Sequence, residues 1–161
     1  MRGLIAALIT VVIALASLVP TVIAPSSNIT ASVNVPVSCG IKLTPNTINF
    51  GDVPTGSTSS IKTVDIKNTG SGSMEYCKYE ISGTDWTKTG DSFAVENTDY
   101  KCSNSTGVNC LVVSFADLTA TTTHFANIEH GKTVSVDFQM SVPEGQAAGA
   151  YQQTITITVS S

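Results

Sequence analysis

The chain has 161 residues, a net charge of −4 and only 12% charged residues, about half the share usual in a soluble globular domain. Eight Lys and Arg stand against twelve Asp and Glu, and Arg2 is the single arginine, so the clustered cations that phosphate binding requires are missing and nucleic acid is excluded as a partner. Ser, Thr, Asn, Val and Ile dominate, which favours strands over helices and fits one exported β-domain with an appendage.

From Leu4 to Ala24 the sequence is uncharged and almost wholly apolar. A helix over this run, at ~1.5 Å per residue, spans roughly 30 Å, the hydrocarbon thickness of a bilayer. Arg2 precedes the run and the acidic bulk follows it, so the positive-inside rule puts the remainder of the chain outside the cell. Three fates fit this segment. Pro20 followed by Val22-Ile23-Ala24 reads as a helix breaker before a small-residue signal cleavage site. The length equally suits an uncleaved membrane anchor. Finally, Arg2-Gly3-Leu4-Ile5 with the apolar run directly behind it resembles the leader of archaeal type IV prepilins and archaellins. That resemblance implies a leader of residues 1–3 cut between Gly3 and Leu4, and a retained helix over residues 4–24. It implies a filament core made by Leu4, Ile5, Leu8, Ile9, Val12, Ile13, Leu15 and Leu18. The partner is then the chain itself, as a homopolymer that leaves the membrane on assembly. A helix apolar on every side needs lipid or other helices around it, and a filament core supplies them.

Residues 25–161 read as a β-sandwich. After Pro25-Ser26-Ser27, Ile29, Ala31, Val33, Val35 and Val37 alternate with Thr30, Ser32, Asn34 and Pro36, the period of a half-buried strand. Pro36 has no N–H for a ladder, which places this strand at an edge or a bulge. Less regular strands are predicted over 41–50, 59–68, 74–82, 91–96 and 110–118. Two regular ones follow: Val134, Val136, Phe138, Met140 and Val142 alternate with polar residues, as do Ile155, Ile157 and Val159. Gly51–Gly56, Gly70–Gly72, Gly90 and Pro143–Gly149 supply the turns. Seven or eight short strands so spaced predict an antiparallel sandwich. Ile48-Asn49-Phe50-Gly51-Asp52-Val53-Pro54-Thr55-Gly56-Ser57, then Val64 to Ser71, and the closing Val142-Pro143-Glu144-Gly145 to Tyr151 resemble the immunoglobulin-like repeats of prokaryotic surface proteins. The full expectation is mainly β: an N-terminal hydrophobic α-helix followed by an immunoglobulin-like sandwich.

Cys39, Cys77, Cys102 and Cys110 form no C-x-x-C pair and lie far in sequence from His124 and His130, so disulfides are expected rather than zinc. Of three possible pairings the sequence favours Cys102–Cys110, closing the polar loop Ser103 to Asn109, and Cys39–Cys77, tying two strands. Asn28-Ile29-Thr30 and Asn104-Ser105-Thr106 are N-glycosylation sequons.

Catalytic and cofactor signals are weak. Gly70-Ser71-Gly72-Ser73 lacks the Lys and helix of a phosphate loop, and His124 and His130 read as surface residues. Asp85, Asp91, Glu96 and Asp99 read as solvated loop acids rather than a calcium site. Trp86, Tyr76, Tyr79, Phe93 and Tyr100 read as core aromatics rather than a sugar platform. No catalytic residue, metal, cofactor or small-molecule substrate is therefore expected. The expected function is structural: a subunit of an extracellular, type IV pilus-like filament serving adhesion, with the sandwich outermost. Two alternatives stand beside it. One is a sandwich cleaved near residue 25 that polymerises by donor-strand exchange through residues 29–37, for which a sandwich missing one edge would be the sign. The other is a monomeric, membrane-anchored surface module.

Overall fold

The computed structural model describes Ser32, residues 38–71 and residues 76–161 of the chain. Eleven strands account for its regular structure: β1 (Ile41–Thr44), β2 (Lys62–Asn68), β3 (Tyr76–Gly83), β4 (Trp86–Lys88), β5 (Asp91–Phe93), β6 (Thr98–Cys102), β7 (Val108–Cys110), β8 (Ala116–Asp117), β9 (Thr123–Glu129), β10 (Thr133–Met140) and β11 (Ile155–Ser160). Every pairing between them is antiparallel. One sheet has the order β1-β2-β10-β6-β8 and the other β11-β3-β9-β7, while β4 and β5 form a separate hairpin.

The two larger sheets share one core because each strand presents its apolar residues at period two. Val64 and Ile66 of β2, Tyr100 of β6, and Val134, Val136 and Phe138 of β10 come from the first sheet. Tyr79 and Ile81 of β3, Val108 of β7, and Phe125 and Ile128 of β9 meet them from the second. Tyr100 lies edge-on to Phe125 across the layers, with ring centroids 6.2 Å apart, a favoured aromatic geometry.

These findings correct the expected fold class. Among the described residues there is no α-helix; the helical content is a single 3-10 turn, Val95–Asn97. No helix among them is long and apolar enough to cross a membrane. The abundance of β-branched and aromatic residues, alternating with polar ones in β2, β10 and β11, favours strand over helix in this part of the chain. An expectation of a helix followed by a seven- or eight-strand immunoglobulin-like sandwich gives way, among the described residues, to a mainly β, antiparallel fold with eleven strands. The run 4–24, the leader positions Gly3 and Leu4, the other filament-core residues, Asn28 and the strand predicted over 29–37 lie outside the described residues.

Strand boundaries also differ. The segment predicted over 41–50 is a strand only to Thr44, because Pro45 follows it and cannot donate to a ladder. The segment over 110–118 divides into the end of β7 and the short β8. At the end of β2 the chain makes a tight contact between strands. A Cβ on Gly70 would overlap the Ser38 carbonyl oxygen, and Ser38 and Ser71 exchange both backbone hydrogen bonds there, so only glycine fits.

Candidate functional site

Two features of the sandwich are open to partners: a groove beside the β4–β5 hairpin and the outer edge of β11.

The groove has a volume of about 810 Å³. Its floor is a second, smaller apolar cluster of Trp86, Phe93 and Met140, with Phe50, Val53, Val142 and Tyr151 around it. The hairpin exists because Gly90 takes φ 80° in the two-residue turn between β4 and β5, a conformation that suits glycine. Trp86 and Phe93 pair across the hairpin and stack with centroids 5.7 Å apart; Phe93 then tilts onto Tyr151 at 5.0 Å. Burying the indole requires a partner for its N–H, and Nε1 donates to Thr98 Oγ1 at 2.8 Å. Thr98 in turn donates to Gln153 Oε1 at 3.0 Å.

The wall nearest the hairpin is a polar clasp. Asp91 accepts hydrogen bonds from the Tyr151 hydroxyl and from Gln146 Nε2, the latter at 2.8 Å. Lys88 Nζ donates to the carbonyls of Ala147 and Ala148 at 3.0 and 2.7 Å, and lies 3.7 Å from Asp91. These charges fasten the loop before β11 to the hairpin. The Tyr151 hydroxyl bond, opposed by burial and aided by the Ser92 amide and Lys88, holds the Asp91 carboxyl below its ordinary value of 3.8. A carboxyl lowered on folding contributes stability that is complete above its unfolded value and lost as pH falls through the lower folded one. The expected result is an Asp91 midpoint below 3.8 in a carboxyl NMR titration, moving up in Tyr151→Phe. A wild-type midpoint at or above the ordinary aspartate value would show that the clasp is not closed in solution.

The other acids are spread out. Asp85 caps the 3-10 turn by accepting from Val95 N at 2.9 Å, Asp99 accepts from Gln139 at 2.9 Å, and Glu96 is exposed. Among the described residues no group of three or more His, Cys, Asp or Glu is placed to hold a metal ion. His124 is held on its own strand by Ala126 O and Asn127 Oδ1, at 3.2 and 3.0 Å, and His130 is exposed in the turn before β10. Of the five aromatics singled out in the sequence, Trp86, Tyr79, Phe93 and Tyr100 are buried and Tyr76 is exposed. Burial pushes the Tyr79 phenol up to about 12, and its hydroxyl donates to Gly40 O at 2.6 Å.

The cysteines pair as Cys39–Cys77 and Cys102–Cys110, with Cα separations of 5.8 and 5.9 Å. The first ties the lead-in to β1 to β3 in the opposite sheet. The second closes the loop that carries the Asn104 sequon; Asn104 is exposed and its Oδ1 accepts from Cys110 N at 2.6 Å.

The second feature is the edge of β11. Among the described residues its one neighbour is β3, with Ile157 opposite Ile81 and Val159 opposite Tyr79. Ile81 and Tyr79 are fully buried, yet Ile155, Ile157 and Val159 are only half-buried. The edge strand of the facing sheet repeats this pattern, with Ile41 and Leu43 half-buried against the same core. Among the described residues the sandwich is therefore sealed in its middle but apolar and uncovered along this side. Periodicity in the sequence identifies β11, but not that its inner residues lack a cover.

No family model matches the sequence, and no curated protein matches it. Among solved structures, the chain is similar to a family 123 glycoside hydrolase from Clostridium perfringens studied for glycolipid glycan hydrolysis. The identity is 15% over 67% of this chain, with a TM-score of 0.47. The chain covers 19% of that protein's length.

Proposed function

We propose that this chain is a structural subunit of an extracellular, pilus-like filament, exported through the cytoplasmic membrane, whose work is attachment rather than turnover of a substrate. The observation that carries self-association is the side of the sandwich where Ile155, Ile157 and Val159 stand half-buried on a strand whose one neighbour among the described residues is β3. Such edges invite a further strand, and proteins that stay monomeric blunt them with charge, proline or a covering loop. Two disulfides across and beside the core suit the oxidising exterior. The uncharged run from Leu4 to Ala24 supports export. The Asn104 sequon, exposed in its disulfide loop, is a place for an N-glycan.

The test is to shear surface material from cells that produce the chain, image it by electron microscopy and sequence the mature N-terminus. Filaments made of this chain are expected. Recovery of the chain solely as a monomer, at every concentration tried, would overturn the reading. A mature start at Leu4 supports processing at the prepilin-like leader, whereas a start near residues 25–28 excludes it.

A further inference from the structure

We infer that the edge of β11 is the acceptor for the segment Ile29–Val37 of a second copy of this chain, which docks there as the fifth strand of the second sheet. The inference rests on the filament reading only in supplying its subunit contact.

The segment fits the edge chemically. In an extended conformation Ile29, Ala31, Val33, Val35 and Val37 would share one face, and the acceptor offers Ile155, Ile157 and Val159 on its core side, half-buried. Neighbouring strands stand ~4.8 Å apart, close enough for the apolar face of the added strand to cover these residues. Its other face, Thr30, Ser32, Asn34 and Pro36, matches the exposed Thr156, Thr158 and Ser160 of β11. Both faces of the sheet are thereby continued without burying a charge, since the segment 28–38 has none.

Proline fixes which backbone groups do the bonding. In a strand, alternate residues direct their N–H and C=O to opposite sides. Pro36 lacks an N–H, so it belongs with the residues facing away from β11. Ala31, Val33 and Val35 then bond to the acceptor, and Pro36 blunts the new outer edge, a protection that natural edge strands use.

Geometry favours a second copy over the chain's own segment. The β1–β2 ladder continues outward through Gly40 to the Ser38–Ser71 bridge, so at Ser38 the chain still lies along the first sheet. β11 belongs to the second sheet, and its C-terminal end, where Ser160 pairs with Lys78, lies at this same end of the sandwich, next to the Cys39–Cys77 link. The Cys39–Cys77 link already holds the chain against the second sheet here, but to run along its own β11 the chain would have to reverse direction just before Ser38. A neighbour's segment needs no such reversal.

The test uses the full chain in two populations. One carries Ser32→Cys and the other Thr158→Cys or Thr156→Cys. All four native cysteines are in disulfides, so the introduced thiols are the only free ones. Opposed residues on adjacent strands lie within disulfide reach. On mixing, a disulfide-linked heterodimer is expected with one of the two acceptors, position 158 for antiparallel docking and 156 for parallel, and none with Ser114→Cys in the loop before β8. Val33→Pro deletes a bonding N–H and is expected to cut the assembled fraction about tenfold or more. Asn34→Pro, facing away, should assemble as the wild type does. Filaments that form without the cross-link and tolerate Val33→Pro overturn the β11 contact and leave the filament reading standing. A chain that stays monomeric and yields no cross-link overturns both. A Val33→Pro variant whose monomer melts at lower temperature shows the segment bound within its own chain, which also overturns the exchange.

Discussion

Replacing Cys39 and Cys77 together by Ala is expected to lower the melting temperature by about 15 °C, the equivalent of about 4 kcal/mol in a domain of this size. The bond joins residues 38 apart, and the chain-entropy model gives a cross-link of that span about 4 kcal/mol by restricting the unfolded chain. It also ties the edge of one sheet to the other. Cys39 lies just before β1, the edge strand of its sheet, and the Tyr79–Gly40 hydrogen bond of 2.6 Å is the neighbouring link to the opposite sheet. The control is Cys102→Ala with Cys110→Ala. That bond spans eight residues, for which the same model gives roughly 2.5 kcal/mol, and β6 is already held by β10 through five paired positions. Calorimetric melts of the two double variants under non-reducing conditions decide the matter. If the short loop costs as much as the long one, the entropic account of this domain is wrong.

The same contrast between regular and irregular stretches shows how far the sequence could be read. β10 was legible because Val134, Val136, Phe138 and Met140 are all buried and alternate without a break. β9 was not. Its pairing with β3 shifts between Tyr79 and Glu80, and the shift buries Phe125 and Ala126 in succession; one bulge erases the period of two on which such reading depends. β6 keeps the period, with Thr98, Tyr100 and Cys102 buried. Asp99 and Lys101 on its outer face, and a polar residue at an inner position, made it look like loop. The β4–β5 hairpin is only three residues a side, too short for periodicity to register, although Gly90 marks its turn. Both disulfides have the pairing the sequence favours, Cys102–Cys110 closing a polar loop and Cys39–Cys77 as a tie between distant segments. The groove was out of reach for another reason: Phe50, the Trp86–Phe93 hairpin and Tyr151 come from three separate parts of the chain, and local pattern carries nothing about which distant aromatics meet. The uncovered edge of β11 is likewise a property of the assembled sandwich. Its residues alternate as those of any edge strand would, and only their half-burial in the fold distinguishes a strand with no second neighbour among the described residues.

Asn68 is the residue whose role the sequence hides most completely, and its substitution is expected to be nearly as costly as loss of the long disulfide. Following Lys67 at the end of a strand, an asparagine reads as a surface turn former. In the fold it is buried, and its side-chain amide joins three segments. Nδ2 donates to Ile128 O of β9 at 2.9 Å, while Oδ1 accepts from Gly70 N at 2.9 Å and, less closely, from Gly40 N at 3.4 Å. The amide thus stitches the end of β2 to the lead-in of β1 and, across the core, to the other sheet. Asn68→Ala would leave a buried carbonyl and a buried N–H without partners. At about 1–3 kcal/mol for each such group, the expected loss is about 3 kcal/mol, read in a denaturant titration. Asn68→Asp gives a sharper test because it keeps the shape. An ionised carboxylate retains the two acceptor bonds but faces the Ile128 carbonyl without a proton to donate, so folding favours the protonated acid and raises its pKa. The sign follows from linkage: relative to the wild type, the variant holds its stability below the ordinary aspartate value and loses it as pH rises through the raised folded value. A deficit that grows between pH 4 and pH 7 is therefore expected. A deficit that shrinks over that range, or an Asn68→Ala variant as stable as the wild type, would mean that the amide does not join the two sheets in solution.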